Sequence, residues 1–181
     1  MPIPNIFLDT NIIADCVVPL RRAKYACSYE LVQKVEKGQF KAWSVDYALS
    51  ETLGILKGEK EERIGTKDIS RETLSAYDVT QMVSVIDEFR KTNNFEVFAP
   101  EHIPQAEIFD KVKSICVQAT DALVLLSVLH LKKKLPNIVL VTRDDKLLVR
   151  GKKLVSTAHP IDFLPSCPTK CDSKSICRHR K

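Results

Sequence analysis

The sequence predicts an α/β domain built on a parallel sheet with helices on both faces. Three observations carry this. Short apolar runs rich in branched residues, such as Asn5 to Leu8 and Asn137 to Thr142, alternate along the chain with longer segments of helical spacing. The runs are continuously apolar rather than alternating, as in strands buried on both faces. The chain has 181 residues and is 44% apolar, enough for one domain with a real core.

The elements follow in order. Asn5 to Leu8 reads as a buried strand. A helix is expected from about Leu20 to Lys37, where Ala23, Ala26, Cys27, Leu31 and Val35 fall near helical spacing, and Gly38 would end it. Phe40 to Val45 reads as the second strand, with Trp43 in the core, and Asp46 as the cap of a helix carrying Tyr47, Leu49, Leu53 and Leu56. Residues 57–69 are charge-rich and read as a loop. Ser70 is placed as the cap of a helix whose apolar face holds Leu74, Tyr77, Met82, Val85, Ile86 and Phe89. Asn93-Asn94 signals a turn, and Phe95 to Ala99 a third strand. Pro104 opens a helix with Ala106, Ile108, Phe109, Val112 and Ile115. Thr120 opens the most apolar helix, ending at Lys132-Lys133-Lys134, where cations suit the helix dipole. Asn137 to Thr142 is the fourth strand, Asp144 to Val149 a short helix, and Lys153 to Ser156 the fifth strand. Hydrophobic residues thin out after Leu164, so the domain is expected over 1–164, with 165–181 as a basic, Cys-containing appendage.

Charge is uneven. Residues 1–131 carry 15 Lys/Arg and 19 Asp/Glu, a net of −4, whereas 132–181 carry 13 and 4, a net of +9. A basic C-terminal third can attract polyanions. Lys132-Lys133-Lys134 reads first as a solvated helix end. Lys152-Lys153 and Arg178-His179-Arg180-Lys181 are sources of non-specific attraction that salt would weaken. No apolar stretch approaches the ~20 residues that span a bilayer, and no signal peptide is recognised, so a cytoplasmic protein without a membrane partner is expected. Cys16, Cys27 and Cys116 sit among apolar neighbours and read as core residues. Cys167, Cys171, Cys177 and His179 supply four ligands of the kind Zn²⁺ takes, in a spacing that fits no common finger; a tail without zinc is the favoured expectation. His102, His130 and His159 are scattered and carry no assigned chemistry.

Four acids stand at the edges of core segments: Asp9 after Ile6-Phe7-Leu8, Glu51 after the second strand, Asp121 within Ala119 to Leu126, and Asp144 after the fourth strand. Carboxylates are rarely buried unless paired or bound to metal. Sites in open parallel sheets form at the carboxyl ends of strands, where Asp9 and Asp144 belong. Carboxylates brought together raise one another's pKa, and a divalent cation removes the conflict. Oxygen ligands without nearby His or Cys favour Mg²⁺ or Mn²⁺. Such a centre suits metal-assisted hydrolysis of a phosphodiester. Taken singly, Asp9, Asp121 and Asp144 could each be an ordinary helix cap or dipole partner.

The motifs Phe7-Leu8-Asp9-Thr10-Asn11, Leu49-Ser50-Glu51, Thr120-Asp121-Ala122-Leu123 and Val141-Thr142-Arg143-Asp144 resemble, in order, those of the PIN-domain ribonucleases. His159 to Leu164 resembles the usual end of that domain, and the resemblance covers about residues 3–164. The short VapC-like toxins of toxin–antitoxin pairs are the nearest type, although the 57–69 loop and the tail exceed what a minimal toxin needs. The resemblance implies a three-layer α/β/α fold with a five-stranded parallel sheet in the order 3-2-1-4-5. It further implies endoribonuclease activity with Mg²⁺ or Mn²⁺, RNA as substrate, an antitoxin protein as partner, and a homodimer. Asp9, Glu51, Asp121 and Asp144 would then be catalytic and hold the metal, with Thr10, Asn11 and Thr142 in support. Asp145 either substitutes for Asp144 or caps the short helix, the cap being favoured, and Arg143 and Lys146 would contact RNA phosphate. The alternatives are an RNA-binding PIN subunit of an RNA-processing or rRNA-maturation assembly with little turnover, and a haloacid-dehalogenase-type phosphotransferase. The latter needs Asp-x-Asp where this chain has Asp9-Thr10-Asn11.

Overall fold

Ile6, Phe7 and Leu8 have no solvent exposure, because strand β1 (Asn5–Leu8) runs through the middle of a sheet. The computed structural model describes residues 3–17, 21, 25–48, 51–52, 54–55, 76–99 and 103–165. After β1 come α1 (Thr10–Val17), α2 (Ala26–Glu36), β2 (Lys41–Val45), α3 (Ala76–Arg90), β3 (Phe95–Phe98), α4 (Gln105–Ile115), α5 (Ala119–Lys132), β4 (Val139–Val141), α6 (Asp145–Gly151) and β5 (Thr157–Ala158). A 3-10 turn at Pro160–Phe163 follows. Residues 48, 51, 52, 54 and 55 also have helical backbone.

All strand pairs are parallel, and the order is β3-β2-β1-β4-β5. Right-handed crossovers from β1 to β3 lead one way across the sheet, and those from β3 through β4 to β5 lead back. The helices of 10–90 therefore cover one face and those of 105–151 the other, giving the three-layer α/β/α architecture of a PIN-like fold. The core is continuous across the layers and includes Phe7, Leu31, Trp43, Leu125, Leu140 and Leu147. Each such side chain, fully buried, stabilises the fold by roughly 1.5–3 kcal/mol relative to exposure.

Most expected elements are present within two residues of their reading, although α2 starts at Ala26 and not near Leu20. Three differences have physical causes. Helix α1 was not expected. Seven of its eight residues are buried, and its polar stripe is no more than Asn11 and Asp15 over two turns, too short to stand out in the sequence, so burial rather than intrinsic propensity holds it. The fifth strand lies later than Lys153 to Ser156. There the Leu154 and Val155 amides donate back to Gly151 O, at 2.9 and 3.0 Å, so the chain is still turning, and β5 starts at Thr157 opposite Leu140. Gly151 suits that close corner: a Cβ there would stand 3.1 Å from both Leu125 Cδ2 and Thr157 Cγ2. Third, Cys116 is exposed, unlike the buried Cys16 and Cys27. It closes α4 in a left-handed conformation at φ 53°, and its carbonyl accepts from Arg150 Nη1. Phe109, expected on the apolar face of α4, is 52% exposed. The 57–69 loop, Ser70, and the tail residues Cys167, Cys171, Cys177 and His179 lie outside the described residues. Among the described residues, no single helix is long and apolar enough to cross a membrane.

Candidate active site

The pairing Leu8↔Val141 brings the ends of β1 and β4 together, and the Asp9 amide extends it by donating to Val141 O at 3.0 Å. Asp9 and Thr142 are thereby neighbours at the carboxyl edge of the sheet. The Asp9 side chain is fixed on both oxygens. Oδ1 accepts from the Thr10 amide at 2.8 Å. Oδ2 accepts from Asn11 Nδ2 and from Thr142 Oγ1, each at 2.5 Å. Asn11 Nδ2 also reaches Thr142 Oγ1 at 3.0 Å. Burial nevertheless pushes the Asp9 carboxyl up from 3.8 to about 7, and the negative fields of Asp121 and Glu51 add to the rise against the Thr142 bond.

Glu51 approaches from the helical segment after β2. Its Oε2 accepts from Thr10 Oγ1 at 2.5 Å, so Thr10 ties the first acid to the second through backbone and side chain. Asp121 lies in the first turn of α5. Partial burial raises its pKa, with further contributions from Asp144 and Glu51. Tyr47 is an addition that sequence reading assigned only to a helix face. Its hydroxyl donates to Thr120 O at 3.2 Å, steadying the turn that carries Asp121. Burial and the fields of Glu51, Asp9 and Asp121 push its phenol above the ordinary range.

Asp144, not Asp145, is the cap of α6. Its Oδ1 accepts from the Lys146 and Leu147 amides at 2.7 and 3.0 Å, while Asp145 is the first helical residue and exposed. Asp144, three residues beyond the end of β4, has extended backbone at φ −73° and ψ 111°, the geometry an N-cap needs. Lys146 is exposed and does not line the acidic depression. Arg143 is turned away from it. Its guanidinium grips Asp15 through Nε and through Nη2 at 2.8 Å and lies 3.5 Å over the Tyr25 ring. Arg143, expected as a phosphate contact, is thus engaged by a buried carboxylate on α1 in this structure.

Asp9, Thr10, Asn11, Glu51, Gly54, Ile55, Asp121 and Asp144 line one open depression of about 380 Å³. All four acids singled out from the sequence thus share one surface. Among the described residues no Lys or Arg lines the depression, and the pKa values of Asp9 and Asp121, raised first by burial, are raised further by the neighbouring acids. That donor set, all hard oxygens, fits a Mg²⁺ or Mn²⁺ ion. The carboxylates ring the depression rather than converge: among the described residues, no group of three or more His, Cys, Asp or Glu side chains is set to hold an ion as it stands. In comparisons with known proteins, no family model matches the chain and no curated protein matches it significantly.

Proposed function

We propose that the chain is a PIN-type, Mg²⁺- or Mn²⁺-dependent endoribonuclease that hydrolyses RNA phosphodiester bonds. The observation that carries this reading is the gathering of Asp9, Glu51, Asp121 and Asp144 around one depression at the carboxyl edge of a parallel sheet of order 3-2-1-4-5. The four acids would hold the cation. A divalent ion supplies charge neutralisation at the scissile phosphate and a water that is easily deprotonated. The protein's own contribution is orientation. Thr10, Asn11 and Thr142 lock Asp9 in one rotamer, Thr10 bridges to Glu51, and the cap bonds aim Asp144. Near neutrality and without a cation, Asp9 holds a proton about half of the time. Asp9 would give up that proton to serve as a cation ligand.

Purified protein is expected to cut RNA with Mg²⁺ or Mn²⁺ and to stop with EDTA. Asp9→Asn should slow cleavage by about 10²-fold or more, the scale seen when a preorganised electrostatic contact is lost. Equal cleavage by that variant overturns the mechanism, and tight RNA binding without cleavage or metal uptake favours an RNA-binding subunit instead. A toxin role and a homodimer are further proposals, which rest on the resemblance alone. The first predicts growth arrest on expression, relieved by a small protein encoded next to this one.

A further inference from the structure

Asp15 is a carboxylate with no solvent exposure that takes no part in the acidic depression. It lies on α1, six residues beyond Asp9, and both its oxygens are occupied. Oδ1 accepts from Arg21 Nε at 3.0 Å and Arg143 Nη2 at 2.8 Å. Oδ2 accepts from Ser28 Oγ of α2 at 2.7 Å and from Arg143 Nε. The Tyr25 ring stacks under the Arg143 guanidinium, and Arg21 lies over the same ring at 4.9 Å.

Arg143 sits between two residues of the candidate site. Thr142 before it donates to Asp9, and Asp144 after it lines the depression. Its own amide donates to Asn11 Oδ1 at 3.3 Å, and the Asp144 amide donates to Thr142 Oγ1 at 3.0 Å. The turn from β4 into α6 is thus held from below by its backbone and from the side by a forked ion pair to α1. A buried ion pair adds little net stability, because desolvation offsets its attraction. A two-point Arg–carboxylate fork does fix geometry. Here the geometry it fixes is the position of the turn bearing Asp144 relative to the helix that starts at Asp9.

We propose that Asp15 and Arg143 are positioning residues that hold the Thr142–Asp144 turn in register with Asp9, so that two acids from different strands face one cation. The chemical consequence rests on the nuclease reading above; the positioning itself does not. Arg143 acts through Asp144 and not by touching RNA.

The test is the double variant Asp15→Asn with Arg143→Gln, which removes both charges of the fork together; Arg21 loses the carboxylate as well but keeps its place over the Tyr25 ring. Amide exchange measured by NMR should speed up about tenfold or more at Lys146 and Leu147, whose amides donate to Asp144, while sheet amides keep their protection. Mn²⁺ affinity by calorimetry and kcat on RNA should each fall about 10–100-fold, as for other outer supports of metal ligands, with KM unchanged. Unchanged exchange at Lys146 and Leu147 overturns the proposal. So does a rise in KM with kcat intact, which would make Arg143 an RNA contact. If the wild-type protein neither takes up Mn²⁺ nor cuts RNA, the nuclease reading falls, and the exchange result still decides the positioning. Should the double variant fail to fold, Arg143→Lys keeps the charge, loses the fork and is read in the same ways.

Discussion

Asp9 accepts three hydrogen bonds and still protonates near neutrality, because burial and two neighbouring acids outweigh the donors. This has a consequence for stability. The folded protein binds the Asp9 proton more tightly than the unfolded chain does. The resulting stabilisation is complete below the unfolded value near 4 and is lost as pH rises to about 7. At about 1.4 kcal/mol per unit, the loss across that window is on the order of 4 kcal/mol. In EDTA, the melting temperature should fall between pH 5 and 7. Asp9→Asn should flatten that slope, and Mg²⁺ should restore the wild type more than the variant. Calorimetric melting curves across pH check this, and an equal slope in both proteins would remove Asp9 as its source. Asp15 shows what reading one residue at a time leaves out. It interrupts Ile12-Ile13-Ala14 and Cys16-Val17 much as Asp121 interrupts its own apolar run, so the signal is in the sequence. Arg21 and Ser28 are nearby partners, but Arg143 lies 128 positions away, and no local pattern points there. An arginine beside a candidate acid therefore reads as a phosphate contact until the fold supplies its real neighbour.

At the level of elements, α6 does two jobs with one side chain. Asp144 caps the helix through Oδ1 and faces the depression. Substitution separates the two. Asp144→Asn keeps a good cap and should leave stability within about 0.5 kcal/mol, whereas Asp144→Ala should cost about 1 kcal/mol. Both should lose RNA cleavage, since both remove the charge. Urea unfolding beside a cleavage assay tests this, and full activity in Asp144→Asn would leave the residue as a cap alone. The central strands β1 and β4 were legible because a parallel sheet buries both faces and leaves short apolar runs, and the edge strand β3 because it alternates. β1 was readable to the residue, and β2, β3 and β4 nearly so. What the sequence hid was α1, buried on nearly every side, and the start of β5. Val155 is apolar because it packs into the core at 3% exposure, not because it lies in a strand. The topology came from the family resemblance rather than from any local signal, and the sheet has that order. Asp9 and Asp144 were legible for a related reason: each comes soon after an apolar strand run; Glu51 and Asp121 lie on helical segments and stood out only as members of the set of four.

Among the described residues, acidic and basic surface lie at opposite edges of the sheet. Asp9 and Asp144 follow β1 and β4, so the acidic depression lies at the carboxyl edge. Lys132, Lys133 and Lys134 precede β4, and Lys152 and Lys153 precede β5, which puts them at the opposite edge. There Lys132, Lys152 and Lys153 line a second open depression of about 490 Å³ with Leu154, Val155, Ser156 and Thr157, and among the described residues no carboxylate lines it. An acidic mouth repels a phosphate backbone, so an RNA-cutting protein of this charge pattern has to draw its affinity from elsewhere on its surface. Each lysine that neutralises a phosphate releases counterions and steepens the fall of affinity with salt, by about 0.7 in log–log slope for a single strand. Replacing Lys132, Lys152 and Lys153 together by Ala should weaken RNA binding to a similar degree for all sequences and make that slope shallower by about 2. The maximal rate at saturating RNA should hold, because these side chains lie far from the acids. Fluorescence anisotropy with a labelled RNA over a salt series measures the slope. An unchanged slope would mean that these lysines are solvated surface and that the basic residues drawing in RNA lie elsewhere.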